Sequence, residues 1–313
     1  MEKDILISLL KANININKIF SQHPLLTVPV ISNTEFIGAL ENAYAQLQSS
    51  VDLFAKIQDD TAKILDYCHK KDIHIISIFD IEYPKKLLAI KDPPLVLFYR
   101  GNIDILSSTI SIAVIGSRKP TDHGNKIAVR FGEVLAENNI TVVSGLAEGI
   151  DVHGHIGSLA KSGLNIAILP TGMERIYPKK NAAVYQEILD KGGCIFSEYL
   201  PFSTVYKSNF IYRDRLESGI SNGIIIVEAA VKSGTMHTAD YALSQNKIMG
   251  VYVHSAKFSE YKEIGGNKVL LQNPKISPLR YPDSIKHFIH IVKHAPQSIQ
   301  RYQATLFHTD FKE

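Results

Sequence analysis

The sequence has 313 residues, of which 45% are hydrophobic and 21% are charged, and its formal net charge is +3. This length predicts one large domain with smaller additions, and the composition is ordinary for a globular protein with a sizeable core. The two cysteines, Cys68 and Cys194, stand far apart, which excludes a disulfide framework and a CxxC metal site. No apolar run is long enough to span a membrane, and no signal-peptide cleavage site follows the N-terminus, so a cytoplasmic protein without a membrane partner is expected.

Residues 1–64 are predicted to be a small helical region. Apolar side chains recur there at helical spacing, as at Leu47, Val51 and Phe54. Two short apolar runs that are typical of strands follow, at Ile73–Phe79 and Leu95–Tyr99.

Between residues 111 and 253 the pattern is strand, turn and helix, repeated. The strands are continuous apolar runs, as expected when both faces of a sheet are covered. This alternation predicts a doubly wound parallel sheet. The predicted strands are Ile112–Ile115, Thr141–Val143, Asn165–Leu169, Cys194–Phe196, Ile224–Val227 and Ile248–Val253. After Pro274 one amphipathic helix is predicted, Asp283–Val292, followed by polar sequence.

The loops that follow these strands carry glycine, hydroxyl and arginine side chains. In an open parallel sheet, ligands bind beyond the carboxyl ends of the strands. A glycine turn that leads into a helix presents backbone N–H groups to an anion, and arginine adds a bidentate, permanently charged donor. A single such turn means little, but several share one edge here. They predict a surface for several phosphates in a row, which includes Gly116, Ser117, Arg118, Ser144, Gly145, Gly172, Arg175, Ser233 and Gly234.

Cations and aromatic side chains are interleaved between Lys207 and Arg215. A nucleic-acid interpretation puts a base on Phe210 or Tyr212 and phosphates on the cations, which include Arg213. In the alternative interpretation, Phe210 is a core side chain and the cations are solvated. The run alone does not decide between the two.

The machinery of nucleotide hydrolases is missing from the sequence. The turn after the first strand of the repeat has neither a GxGxxG fingerprint nor a P-loop lysine followed by Ser or Thr. Asp151 and Glu228 form an acid pair or, as is more common at strand and helix ends, orient local backbone amides. His153 and His155 lie two positions apart in a predicted helix, so they point about 200° apart and cannot chelate one metal. No catalytic residue, cofactor or metal is therefore expected.

A series of motifs runs in order between residues 70 and 270. They are Gly116-Ser117-Arg118, Ser144-Gly145 through Ile150-Asp151 with His155, Gly172 through Tyr177-Pro178 and Asn181, Ser197-Glu198, Phe210 with Arg213 and Arg215, and Glu228 with Ser233-Gly234 and Thr238-Ala239. In these motifs the sequence resembles the DprA (Smf) family of bacterial DNA-processing proteins.

The resemblance implies an α/β fold with an extended Rossmann-like, doubly wound, mostly parallel sheet, preceded here by the helical region. The expected domains are 1–64, 65–273 and a short C-terminal extension, 274–313. The implied function is non-enzymatic: a homodimer that binds single-stranded DNA and loads a RecA-type recombinase during natural transformation. The implied DNA contacts are the side chains of Arg118, Lys207, Phe210, Arg213 and Arg215, and backbone or hydroxyl donors at Gly116, Ser117, Ser144, Gly145 and Gly172.

The sequence departs from the family's Arg-Asn-Arg motif, because Asp214 stands in place of the asparagine. Ionised Asp214 repels phosphate, so it either pairs with a neighbouring arginine or weakens DNA binding, and Glu217 adds another negative charge nearby. Two other functions stay open. One is a nucleotide-binding or phosphoribohydrolase-like enzyme or sensor of related fold that uses Glu228 and Asp151, and the other is a scaffold that binds a protein partner.

Overall fold

The computed structural model describes residues 2–14, 34–258, 261–280 and 283–295. Residues 15–33 of the expected helical region and 296–313 of the expected C-terminal extension lie outside the described residues. The described N-terminal helices are α1 (Lys3–Lys11), α2 (Thr34–Gln48) and α3 (Val51–Lys70).

The N-terminal helices share a hydrophobic core with the start of the sheet. Leu6 and Phe36 are fully buried in the same cluster as Leu97. A buried hydrogen bond of 3.1 Å joins the hydroxyls of Ser8 and Thr61, which fixes α1 against α3. Helix α3 also continues past residue 64, where the helical region was expected to end.

The described residues form a nine-stranded sheet with the order β1-β2-β6-β5-β4-β3-β7-β8-β9. The strands are β1 (His74–Ser77), β2 (Val96–Gly101), β3 (Ser111–Ile115), β4 (Thr141–Ser144), β5 (Asn165–Ile168), β6 (Cys194–Ser197), β7 (Gly223–Ile226), β8 (Ile248–Tyr252) and β9 (Ile276–Leu279). The six strands predicted between residues 111 and 253 are confirmed.

The sheet is mostly parallel and doubly wound, as predicted. Strands β1 and β2 pair antiparallel, as do β2 and β6, and the other neighbours are parallel. From β3 the chain first builds outward through β4 to β6, then returns to add β7 on the other side of β3. The carboxyl ends of β3 and β7 are therefore the topological switch point, where such sheets bind their ligands.

Helices cover both faces of the sheet and bury its alternating side chains. Ala113 and Ile115 of β3 belong to one hydrophobic cluster, and Ile112 and Val114 belong to the other. The later helices are α4 (Lys85–Leu88), α5 (Ile105–Ser108), α6 (Asp122–Glu137), α7 (Ile150–Ala160), α8 (Ala182–Asp190), α9 (Lys207–Ile220), α10 (Gly234–Ser244), α11 (Gly265–Leu270) and α12 (Asp283–His294).

Strand β9 was not predicted from the sequence. Its residues pair with β8 at the sheet edge, with Pro278 opposite Val251. An edge strand tolerates proline because one side of it needs no ladder donor. Helix α12, which was predicted, then packs Ile285 and Phe288 into the second cluster.

Among the helices of the described part, none combines the length and the apolar character needed to cross a membrane.

Candidate nucleic-acid interface

The backbone of the glycine turn after β3 is hydrogen-bonded to neighbouring segments of the fold. The Ser117 N–H donates to the carbonyl oxygen of Glu228 at 2.7 Å, and the Ser117 carbonyl accepts from Ile150 N–H at 3.1 Å. A Cβ at Gly116 would lie 2.8 Å from the same Glu228 carbonyl, so the turn needs glycine to approach β7. The expectation that the Ser117 amide donates to phosphate does not match this geometry, because the amide already has a partner.

The N-terminus of α6 holds the side chain of Glu228. Thr121, the N-cap, donates its N–H to Oε2 of Glu228 at 2.8 Å and its hydroxyl to Oε1 at 2.6 Å, and accepts from Gly124 N–H at 3.0 Å. Glu228 is fully buried, and burial raises its pKa against the opposing effect of the Thr121 hydrogen bonds. A protein carboxylate thus occupies the position where a helix N-terminus would otherwise receive an anion. Both carboxylate oxygens of Glu228 therefore accept hydrogen bonds from Thr121 inside the fold.

Four of the predicted site residues, Arg118, Gly145, Phe210 and Arg213, meet in a cleft at the carboxyl ends of β3, β4 and β5. The guanidinium carbon of Arg118 lies 4.7 Å from the centroid of the Phe210 ring, within cation–π range. The Tyr177 ring packs edge-on against Phe210, with 5.4 Å between centroids. We call this the Arg118 cleft; its volume is about 200 Å³ and its lining residues are Arg118, Lys119, Gly145, Ala147, Glu148, Pro170, Tyr177, Pro178, Phe210 and Arg213.

Arg213 forms the floor of the Arg118 cleft and is only 3% exposed. Its Nη1 donates to Glu217 Oε1, and its Nε lies 3.6 Å from Asp214 Oδ1. Gly145 has no room for a side chain, since a Cβ there would overlap the guanidinium. Of the two alternatives for Asp214, the structure has the pairing with a neighbouring arginine. The guanidinium of Arg213 already faces two internal carboxyl groups, and its predicted contact with phosphate stays a prediction.

The carboxylates around Arg213 sit in a desolvated environment that favours their neutral form. Burial raises the pKa of Asp214 to about 6, although Arg213 opposes the shift. Burial likewise raises the pKa of Glu217 and of Asp151, again against the field of Arg213. Asp151 also accepts from Gly145 N–H at 3.3 Å, so one of its roles is to orient a local backbone amide.

Arg215 is a structural residue rather than an open ligand. It is 4% exposed, and its Nη1 and Nη2 donate to the two oxygens of Glu198 at 2.7 and 2.6 Å. Its Nε donates to Asp92 Oδ2 at 2.9 Å. This bidentate pair ties α9 to the end of β6. Arg215 thus donates to carboxylates inside the fold, and its predicted contact with DNA stays a prediction.

The other predicted site residues lie around the Arg118 cleft without lining it. Lys207 is exposed at the start of α9, one turn before Phe210. Ser144 is fully buried and donates its hydroxyl to the Val114 carbonyl at 2.8 Å, so it is not an open donor as expected. Gly172 packs against the Leu200 carbonyl, where a Cβ would lie 2.6 Å from the oxygen. Ser233 donates its hydroxyl to the Ala230 carbonyl at 2.7 Å, and Gly234, which begins α10, has open space beside it.

Several cleft residues were absent from the predicted site. Tyr177 appeared only as part of a motif, although its position in a proline-containing loop after a strand end was a usable signal. Glu148 also lines the cleft, and its Oε2 accepts from Lys180 Nζ at 2.8 Å. Lys119, which follows Arg118, also lines the cleft and was not predicted.

Comparison with known proteins identifies the family. The family model for the DNA recombination-mediator protein A matches residues 74–288. The chain belongs to this family. This match agrees with the resemblance to DprA (Smf) proteins that the series of motifs indicated.

Individual relatives of the DNA recombination-mediator protein A family match in both sequence and structure. Protein Smf of Synechocystis sp. is 36% identical over 188 residues, which cover 59% of this chain and 47% of the relative. The X-ray structure of DprA from Streptococcus pneumoniae has a TM-score of 0.67 at 26% identity and covers 89% of this chain and 95% of that one. DNA processing protein A from Helicobacter pylori, described for its single-stranded DNA binding mode, has a TM-score of 0.61 at 28% identity, with 71% and 96% covered. This chain spans about half the length of the first curated relatives it matches.

Proposed function

We propose that this protein binds single-stranded DNA in the Arg118 cleft. The observation that carries the proposal is the stacking of the exposed Arg118 over Phe210, with the Tyr177 ring beside it. A cation next to the exposed Tyr177 ring and the half-buried Phe210 ring suits an unpaired base and its phosphate together. The H. pylori relative, whose description concerns single-stranded DNA, supports the same class of ligand.

The proposed division of labour separates exposed cations from buried ones. Arg118, Lys119 and Lys207 are exposed and supply the phosphate contacts. Arg213 and Arg215 stabilise the floor and the orientation of α9 through their ion pairs. Gly116, Ser117, Ser144, Gly145 and Gly172 act by shaping the loops, and Ser233 and Gly234 extend the same sheet edge towards α10.

The experiment that tests the proposal compares Arg118→Ala with the parent protein by fluorescence anisotropy on oligo-dT at several salt concentrations. Because one phosphate contact is lost, the affinity falls and the slope of log K against log salt decreases by about one unit. Arg130→Ala is the matched control, since it also removes one positive charge, from a half-exposed arginine that pairs with Glu133 in the body of α6. An Arg118→Ala slope equal to that of Arg130→Ala would contradict the proposal.

We further propose that a homodimer of this cytoplasmic protein passes the bound strand to a RecA-type recombinase, as a recombination mediator during natural transformation. Membership of the DNA recombination-mediator protein A family supports this role. A strand-exchange assay with a RecA-type protein on DNA coated with single-strand-binding protein tests it, with Arg118→Ala as the variant that fails to stimulate.

A further inference from the structure

Glu148 introduces a negative charge into a cleft that otherwise suits a polyanion. It follows the end of β4 and lies beside Ala147, just before α7. Of the described residues that line the Arg118 cleft, it is the only one with a carboxylate, and its side chain is 44% exposed. A group that repels phosphate needs another explanation if the cleft holds DNA.

Besides its cations, the cleft that Glu148 lines has apolar and planar walls. Ala147, Pro170, Pro178 and the rings of Tyr177 and Phe210 line the cleft with it. Such walls accept the flat face of a base, whereas a phosphate next to Glu148 would lie beside a like charge. The part of the cleft that contains Glu148 is therefore suited to a base edge, and Arg118 is left for the phosphate.

Lys180 holds the Glu148 carboxylate while leaving it able to accept further hydrogen bonds. Its Nζ lies 2.8 Å from Oε2, and an ionised carboxylate has about four lone-pair sites in all. An exocyclic amino group on a base is a suitable donor to such a carboxylate, as for the N4 amino group of cytosine. Thymine presents the O4 acceptor in that place, which repels a carboxylate.

We propose that Glu148 is a specificity residue that selects an unpaired base with an exocyclic amino group, so that cytosine is bound in preference to thymine. This inference rests on the proposed function, because it needs a strand in the Arg118 cleft. It assigns the base contact to Glu148 and the phosphate contact to Arg118, two residues that can be tested separately.

The test is a comparison of oligo-dC with oligo-dT of equal length, by anisotropy at one salt concentration and neutral pH. The parent protein is expected to bind oligo-dC about tenfold more tightly, the size of one hydrogen bond to a charged group. In Glu148→Gln the ratio is expected to fall to about one, because an amide both donates and accepts and so bonds cytosine N4 and thymine O4 alike. Both affinities rise in this variant because a negative charge is lost, so the ratio is the readout.

Glu187→Gln is the matched control. Glu187 is 48% exposed and pairs with Lys191 on α8, outside the cleft lining, so the ratio of oligo-dC to oligo-dT is expected to stay at the parent value. Equal binding of the two oligonucleotides by the parent, with affinity that still depends on Arg118, overturns the role of Glu148 and leaves the proposed function standing. Failure of the parent to bind either oligonucleotide overturns both.

Discussion

Asp214 carries a charge in a place that disfavours it. Burial raises its pKa to about 6, and the nearby Arg213 reduces that shift without cancelling it. The unfolded chain has an aspartate pKa near 3.9. Between about pH 4 and pH 6 the folded protein therefore binds a proton that the unfolded chain has released. The free energy of unfolding loses this contribution as pH rises through that window, and above pH 6 the folded state bears the full cost of the charge.

Asp214→Asn is expected to be more stable than the parent at pH 8. The difference in unfolding free energy should shrink as pH falls from 6 to 4, by up to about 1.4 kcal/mol per pH unit, because the parent becomes neutral at this position by protonation. Urea unfolding of both proteins at a series of pH values measures this difference in unfolding free energy. Asp66→Asn is the control: Asp66 pairs with Lys70 on the surface of α3, and an exposed ion pair contributes about 0–1 kcal/mol, so this variant should unfold with nearly the free energy of the parent. If the difference in unfolding free energy between Asp214→Asn and the parent does not change with pH, burial does not disfavour the ionised form of Asp214.

For single residues of the site, the sequence predicted the edge of the sheet on which they lie but not the partners of their side chains. Arg118 and Phe210, both predicted from the loops that follow strand ends, line one cleft in the structure. Arg213 and Arg215 have the same residue type as Arg118 but face inward. Their environment depends on Glu217, one helical turn away, and on Glu198 and Asp92, which only the tertiary fold brings near. An arginine in a motif does not reveal whether its counter-ion is a phosphate or a carboxylate.

At the level of elements, the link between Thr121 and Glu228 joins the start of α6 to the end of β7. The Thr121 hydroxyl caps the helix and also donates to a fully buried carboxylate. Thr121→Ala removes an N-cap worth about 1 kcal/mol. It also deprives buried Glu228 of a donor, which costs about 1–3 kcal/mol more. Chemical denaturation is therefore expected to show a loss of about 2–4 kcal/mol in unfolding free energy.

Thr121→Ser distinguishes the effect of the hydroxyl from that of the methyl group, because it removes only the methyl group. Serine caps helices as well as threonine does and keeps the donor to Glu228, so this variant is expected to retain most of the stability. If Thr121→Ala and Thr121→Ser prove equally stable, the hydrogen bond from the residue 121 hydroxyl to Glu228 does not stabilise the fold.

The elements themselves were largely predictable, because burial on both faces leaves a continuous apolar run in the sequence. Thr141–Ser144 and Cys194–Ser197 each extend only one residue beyond the prediction. Strand β9 lacked this signal. Its Ile276-Ser-Pro-Leu279 sequence contains a serine and a proline, and it forms ladder bonds to β8 on one side. Edge strands need less apolar surface and fewer donors, so apolar periodicity alone could not find it.

Over the whole molecule, β9 and α12 make the C-terminal part integral to the sheet. Ile285, Phe288 and Val292 of α12 lie in the same cluster as Val114 of the central strand β3. Phe288 is 1% exposed and packs close to Gly250 of β8. The expected extension that begins at residue 274 therefore contributes core side chains as far as residue 292, and its removal would uncover part of one face of the sheet.

Phe288→Ala is expected to lower the unfolding free energy of the whole protein by about 3–5 kcal/mol, because it removes a buried aromatic ring and leaves a cavity. The transition should remain a single one whose midpoint shifts, since Phe288 shares its cluster with the central strand. Lys286→Ala, on the exposed side of the same helix, controls for changes in helix propensity and should unfold like the parent. A separate early transition in Phe288→Ala, with the main midpoint unchanged, would mean that residues 274–295 form a unit of their own and that the sheet does not depend on them.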